Sequence, residues 1–255
     1  MNPADRQAEI VNIIRQKNRV EVGELADFLQ ISRETIRRDL SELVRAGKVQ
    51  KFHGGASLPM MTGEGPFRDR MSENAPAKAF IANEAAKLIV PGETVLIDTG
   101  STTLYFAEKL AEIPNLTIVT NSAEIAGVIS LAPSQSKTFL LGGEFSGDNR
   151  QTVGSMAISQ VRTFRAHHAV LTIGALDIRT GIMDFCIEEA QVARAMIEQA
   201  ESLTVLADST KFGRIASFEV CGLDRVTNLV CDQQPAGKIK SALKEAGVKI
   251  IIAGE

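Results

Sequence analysis

Seven short apolar runs, at 95–97, 116–119, 138–141, 169–173, 203–206, 228–231 and 248–252, alternate with helical patterns over 103–111, 122–130, 154–162, 187–200 and 236–246. Strand and helix periods that trade places in this way point to an α/β fold, a mostly parallel sheet covered by helices on both sides. A further helical pattern, from about 77 to 89, carries Phe80, Ile81, Ala85, Leu88 and Ile89 and leads through Pro91-Gly92 into the first run. Ligands of such sheets collect at the carboxyl ends of the strands. The segments that follow each run are therefore where chemistry is to be sought.

After Ile97 the chain reads Asp98-Thr99-Gly100-Ser101-Thr102-Thr103, directly before a helix with Leu104, Ala107 and Leu110. Glycine permits a tight turn, hydroxyls donate hydrogen bonds, and the free N–H groups of a helix start face a negative ligand. The loop lacks the Lys-Ser/Thr ending of a nucleotide P-loop and the Gly-x-Gly-x-x-Gly of a dinucleotide fold, which favours a small phosphate ester over ATP or NAD. A capped turn with no ligand accounts for this loop alone equally well. Other strand ends repeat the theme: Thr120-Asn121-Ser122, Gly142-Gly143-Glu144, Gly174-Ala175-Leu176-Asp177 and Asp208-Ser209-Thr210-Lys211-Phe212-Gly213. An ammonium at Lys211 would neutralise a phosphate, and Asp98 or Asp208 would accept from sugar hydroxyls. The plain alternative for Lys211 is a surface lysine in a loop. The candidate effector contacts are Asp98, Thr99, Gly100, Ser101, Thr102, Thr103, Thr120, Asn121, Gly142, Gly143, Asp177, Asp208 and Lys211.

The amino-terminal part has a different character. Ile10, Ile13 and Ile14 mark one helix, and Val22, Leu25, Ala26 and Leu29 a shorter one that ends before Gln30-Ile31. Ser32 is a good N-cap for a third, whose buried face is Ile36, Leu40 and Leu43. Arg33 and Arg37 lie one turn apart on another face, where guanidinium forks suit guanine acceptors or phosphate oxygens. A solvated charged face is the competing reading, and Arg38 supports it, with Glu34 and Glu42 four residues to either side. Gly47 is placed to end this helix, and Val49 to Ser57 read as two short strands around a glycine turn, a wing. Residues 1 to 57 hold ten Lys/Arg against eight Asp/Glu, whereas 58 to 255 hold eighteen against twenty-three, so the positive bias is confined to this piece. Candidate DNA contacts are Ser32, Arg33, Thr35, Arg37, Arg38, Ser41, Lys48, Lys51 and His53.

Arg6, Ile10 and Ile14, followed by Ser32-x-x-Thr35-Ile36-Arg37-Arg38-Asp39-Leu40 and by His53-Gly54-Gly55-Ala56, resemble the DeoR/GlpR family of bacterial transcriptional regulators. Asp98 to Thr103, Thr120-Asn121, Leu141-Gly142-Gly143 and Asp208 to Gly213 resemble the effector domain of the same family, so the resemblance covers nearly the whole chain. It implies a winged helix-turn-helix joined to a domain similar to ribose 5-phosphate isomerase. It further implies repression of a carbohydrate or polyol operon and a phosphorylated sugar or polyol as effector. Asp98-Thr99 departs slightly from the family's more frequent Asp-Ile/Val before glycine, and 181–189 is the least familiar segment. The rival reading is an isomerase-like enzyme. Where that enzyme carries an acidic residue and a glutamate, this chain has Ile173-Gly174 and Ala193, which move no proton, although Asp177, Asp184, Glu188 and Glu189 stand nearby.

Composition bounds the rest. The 255 residues have room for two domains, expected at 1–57 and 75–255 with a linker over 58–74, whose first part, Leu58 to Pro66, is rich in Pro and Gly. No uninterrupted apolar stretch of eighteen residues and no signal-peptide core is found, so a cytoplasmic address and no membrane are expected. Cys186, Cys221 and Cys231 lack metal spacing, and His167-His168 read as a strand entrance; no metal or cofactor is expected. A net charge of −3 suits a small basic reader on an acidic body. With one Tyr and no Trp, stacking on single-stranded RNA is poorly served. The expected partners are duplex operator DNA, the phosphorylated effector and further copies of the chain as a homodimer or homotetramer.

Overall fold

A computed structural model describes residues 2–17, 19–45, 49–52, 54–57 and 63–254, and divides into two compact units, Met1–Met61 and Thr62–Glu255. The first unit runs α1 (Pro3–Lys17), β1 (Arg19–Glu21), α2 (Val22–Leu29), α3 (Arg33–Arg45), β2 (Gln50–Phe52) and β3 (Gly55–Ser57). Its three strands form an antiparallel sheet in the order β1-β3-β2. Glu21 and Glu24 close a capping box at the start of α2, and Gln30, at φ 55°, ends it with its N–H on the Ala26 carbonyl. Ser32 Oγ accepts the Thr35 N–H at 3.1 Å, the expected cap of α3. Ile36, Leu40 and Leu43 then pack with Ile10, Ile14 and Leu25 in one core. The wing needs its glycine: a Cβ on Gly55 would lie 2.3 Å from the Val20 carbonyl oxygen across the β1–β3 pair. Gly47, Lys48 and His53 lie outside the described residues.

The second unit opens with α4 (Phe67–Ser72), α5 (Ala75–Ala86), β4 (Thr94–Ile97), α6 (Ser101–Leu110), β5 (Thr117–Thr120), α7 (Ala123–Ser130) and β6 (Lys137–Leu140). It continues through β7 (Glu144–Ser146), β8 (Gln151–Val153), α8 (Ser155–Val161), β9 (Ala166–Thr172), β10 (Ala175–Asp177), β11 (Gly181–Asp184) and α9 (Ile187–Gln199). It closes with β12 (Ala200–Leu206), β13 (Phe218–Cys221), β14 (Asn228–Cys231), α10 (Gly237–Glu245) and β15 (Lys249–Ile252). The seven strands expected from the apolar runs form one sheet in the order β15-β14-β12-β9-β4-β5-β6, with every neighbouring pair parallel. The period of two sorts side chains to opposite faces. Val95 and Ile97 join Ile81, Phe106 and Leu110 from α5 and α6, while Leu96 joins Val161 and Met196 from α8 and α9.

Two features depart from the sequence reading. The pairs β7–β8 and β10–β11–β13 are antiparallel additions of three or four residues each, too short to show a period of their own. Within the span that composition marks as a linker, Phe67–Ser72 forms α4, and Phe67 and Arg70 are buried. Strand order reverses between β4, which leads to β5 and β6, and β9, which leads to β12, β14 and β15. In open α/β sheets the crevice that takes a ligand lies at such a reversal, which here is at the carboxyl ends of β4 and β9.

Candidate functional site

On the first unit, Arg33, Arg37 and Arg38 are all exposed on α3, opposite the core face. The pairing of Arg38 with Glu34 or Glu42 that the competing solvated-face reading offers is absent: Glu42 accepts a hydrogen bond from Gln7 Nε2 at 2.6 Å, and among the described residues Arg37 and Arg38 enter no ion pair. An arginine left without an internal partner keeps its donors for an external acceptor. Ser32 and Thr35 are engaged with one another, their hydroxyls 2.9 Å apart, so both serve first to start the helix. Ser41 Oγ donates to the Arg37 carbonyl at 2.7 Å and accepts from Lys51 Nζ at 2.6 Å, which ties strand β2 to α3. Sequence reasoning quoted Arg6 and Asp39 as pattern residues without seeing their contact. Arg6 donates to both carboxylate oxygens of Asp39, at 2.6 and 3.0 Å, and this buried fork fixes α1 against α3.

On the second unit, the segment from Asp98 to Thr103 lies at the crevice. Both Asp98 oxygens accept the Thr172 N–H, at 3.1 and 3.0 Å, binding the end of β4 to the end of β9. Burial pushes the Asp98 carboxyl well above the ordinary range; the Thr172 N–H opposes this, and the nearby Asp184 and Glu189 charges add to it. Gly100 is required by close approach, as Gly55 is, here to a side chain: a Cβ there would sit 2.1 Å from Thr172 Oγ1. Ser101, Thr102 and Thr103 are buried in the first turn of α6, and no side chain caps that turn. Thr103 Oγ1 is spent on the Asp98 and Gly100 carbonyls, at 3.0 and 3.1 Å. The uncapped N–H groups at this helix start are oriented for an anion.

From this loop a hydrogen-bonded chain crosses the unit. Thr99 Oγ1 donates to Asn121 Oδ1 at 3.2 Å, and Asn121 Nδ2 donates to Gln151 Oε1 at 3.2 Å. Gln151 and Asn149 both donate to Glu189 Oε1. Arg70 Nη2 donates to Asn149 Oδ1 at 2.8 Å and Nη1 to Glu64 Oε2 at 2.8 Å, while Lys211 Nζ donates to Glu64 Oε1. Asp184, Glu189, Arg70 and Glu64 line a cavity of about 500 Å³. Burial first, then the Glu189 charge, pushes Asp184 up to about 7; burial also raises Glu189, against the pull of Gln151, Asn149 and Arg70. A buried carboxyl held near neutral pH donates or accepts a hydrogen bond from a hydroxyl with little cost.

The other expected residues are less central. Asp208 is buried and accepts the Thr210 N–H at 3.0 Å, and Thr120 Oγ1 accepts the Ser122 N–H at 3.1 Å. The Gly142 N–H donates to Gln160 Oε1 at 2.8 Å, and Gly142 and Gly143 follow β6, two strands from β4. Asp177 ends β10, where its carboxylate accepts the Arg179 N–H at 2.8 Å; its neighbour Leu176 bridges to Phe212, next to Lys211. Sequence reasoning missed Glu64, Arg70, Asn149 and Gln151. Their one signal was an arginine within the supposed linker. Among the described residues no helix is long and apolar enough to cross a membrane.

Known proteins match this sequence over nearly its whole length. The family model of the DeoR-like helix-turn-helix domain matches residues 6–62, and that of the DeoR C terminal sensor domain matches 73–233. The transcriptional repressor AccR of Agrobacterium fabrum is 35% identical over 253 residues, covering 98% of this chain and 97% of its own. The glycerol-3-phosphate regulon repressor of Escherichia coli is 28% identical over 250 residues, covering 98% and 99%. Among solved structures, ribose 5-phosphate isomerase A from Methanocaldococcus jannaschii aligns over 55% of each chain at 18% identity, with a TM-score of 0.40. The helix-turn-helix model on the first unit and the sensor-domain model on the second between them match most of the chain, and the chain belongs to the DeoR family of transcriptional regulators.

Proposed function

We propose that this regulator is a repressor: Arg33, Arg37 and Arg38 meet duplex operator DNA, and a phosphorylated sugar or polyol bound at the β4–β9 crevice modulates that contact. The observation that carries the effector half is the uncapped first turn of α6, where Gly100 to Thr103 present buried hydroxyls and N–H groups at the reversal of strand order. Thr99, Asn121, Asp98, Asp208 and Lys211 complete the proposed site; Asp177, committed to its own turn, is left out. The relative named for a glycerol-3-phosphate regulon supports the chemical class. Thr35, Ser41 and Lys51 support the arginines, and Lys48 and His53 join them on sequence grounds alone. Repeated half-sites are the common targets of such helices, which calls for a homodimer or homotetramer.

Differential scanning fluorimetry with a panel of sugar and polyol phosphates tests the effector reading. A ligand selective for the folded state raises the melting temperature in step with its affinity. Gly100→Ala, which forces the loop or Thr172 to shift at a cost of about 1–3 kcal/mol, is expected to abolish that rise while DNA binding without effector persists. A panel that gives no rise with the unaltered protein sinks the reading. For the DNA half, Arg37→Ala is expected to cost about 1–3 kcal/mol of operator affinity and to blur one operator position, whereas Lys51→Ala weakens all sequences alike. Titrations at fixed salt in which both variants match the parent would place the docking face elsewhere.

Asp184, held near neutral pH beside the cavity, is the one observation that favours a second reading, an isomerase-like enzyme. We expect no turnover when sugar phosphates are incubated with the purified protein. Interconversion at ordinary enzymatic rates would overturn the regulator-only reading.

A further inference from the structure

One carboxylate of this chain occupies a cation pair. Arg70 is 9% exposed and uses Nη1 on Glu64 and Nη2 on Asn149. Its third nitrogen, Nε, is buried with no acceptor among the described residues. A buried guanidinium donor without a partner carries a desolvation cost that nothing in the unit offsets. The Lys211 ammonium, which the effector reading needs for the phosphate, is held instead by the other oxygen of Glu64. Tyr105 Oη, on α6, donates to the Met71 carbonyl at 3.2 Å, and Lys78 Nζ donates to the Arg70 carbonyl. Helix α4 is thereby fixed beside the helix whose first turn is uncapped.

A carboxylate brings two oxygens and a single charge to this pair. A phosphate monoester brings three oxygens and nearly two charges, enough to serve Arg70 Nη1, Arg70 Nε and Lys211 together. We propose that Arg70 and Lys211 are the anion-holding pair of the effector site, that Glu64 stands in for the ligand in the free protein, and that the effector's phosphate displaces it. This rests on the effector reading above. Glu64 lies two residues past Thr62, where the second unit begins, so its release frees the start of that unit. Ligand occupancy and the anchoring of this segment become linked through one carboxylate, which gives the two states the differential contact that allosteric release requires.

Calorimetric titration of the full chain with inorganic phosphate at fixed ionic strength tests this in the parent, Glu64→Gln, Arg70→Gln and the double variant. Removing an internal competitor raises the binding-competent fraction, so Glu64→Gln is expected to tighten phosphate binding at least about tenfold. Arg70→Gln is expected to weaken it by a similar factor, and the double variant to lose the gain. Arg70→Lys keeps the charge without the fork and is expected to fall between, which covers a folding defect in Arg70→Gln. In the parent, phosphate should speed amide exchange at residues 63–65. Phosphate binding that is equal in the parent and Glu64→Gln overturns the stand-in while leaving the effector reading intact. Absence of phosphate binding in every variant overturns the pair as an anion site, and only a sugar phosphate panel that also gives no stabilisation would take the effector reading with it.

Discussion

Leu40→Ala is expected to abolish operator binding without touching a single DNA-facing group. Leu40 is 1% exposed on the inner face of α3 and packs in the core that α1 and α2 share. Truncating a buried leucine costs about 2–5 kcal/mol. A unit of this size buries so little of its chain on folding that such a loss is comparable to its whole stability. Leu40→Met, close in volume, is expected to retain most of the affinity. Operator titrations at fixed salt check both, and sugar phosphate binding by the second unit serves as the internal control. Parent-like affinity in Leu40→Ala would mean that the helix is held by something other than this core. The Arg6–Asp39 fork acts in the same direction: removal of either partner strands a buried charge.

The second large effect is on pH. Asp184 has an ordinary value of 3.8, raised in the folded protein to about 7 by burial and the Glu189 charge, with Glu64 adding to it. Between those values the folded protein holds a proton that the unfolded chain has lost. The stability this contributes is full below about pH 4 and disappears as pH rises through about 7. Asp184→Asn, which cannot ionise, is expected to be more stable than the parent at pH 8 by on the order of a few kcal/mol, read as a higher melting temperature, and to converge with it below about pH 4. Asp98 and Glu189 shift in the same direction, so a residual slope remains in the variant. A parent melting temperature that rises from pH 5 to 8 in parallel with the variant would refute the buried proton. Phosphorylated ligands should also bind with a pH dependence that Asp184→Asn flattens.

The local order of residues carried the first unit and the large sheet. Ser32 as cap, Ile36, Leu40 and Leu43 as a stripe, and the glycine turn of the wing are each decided within one or two turns of chain, so their pattern survives without tertiary context. The seven apolar runs behave in the same way, because a buried parallel strand is continuous in apolar residues. Pieces of three or four residues such as β7 and β10 are below the length at which any period shows. Arg38 was given internal partners on spacing alone, and the fold directed Glu42 to Gln7 instead.

What the sequence by itself determined is therefore the kind of protein: a capped arginine helix on a small core, ahead of a parallel sheet whose strand ends carry glycines and hydroxyls. Only the tertiary structure decided which groups face one another. Glu64 and Lys211 are 147 positions apart, and Arg70 and Asn149 are 79 apart. No local propensity encodes such pairs, since they arise when helices and loops from distant parts of the chain are brought to one edge of the sheet. The physical reason is that burial of apolar faces fixes the sheet first, and charges then settle with whichever partners that packing leaves within reach.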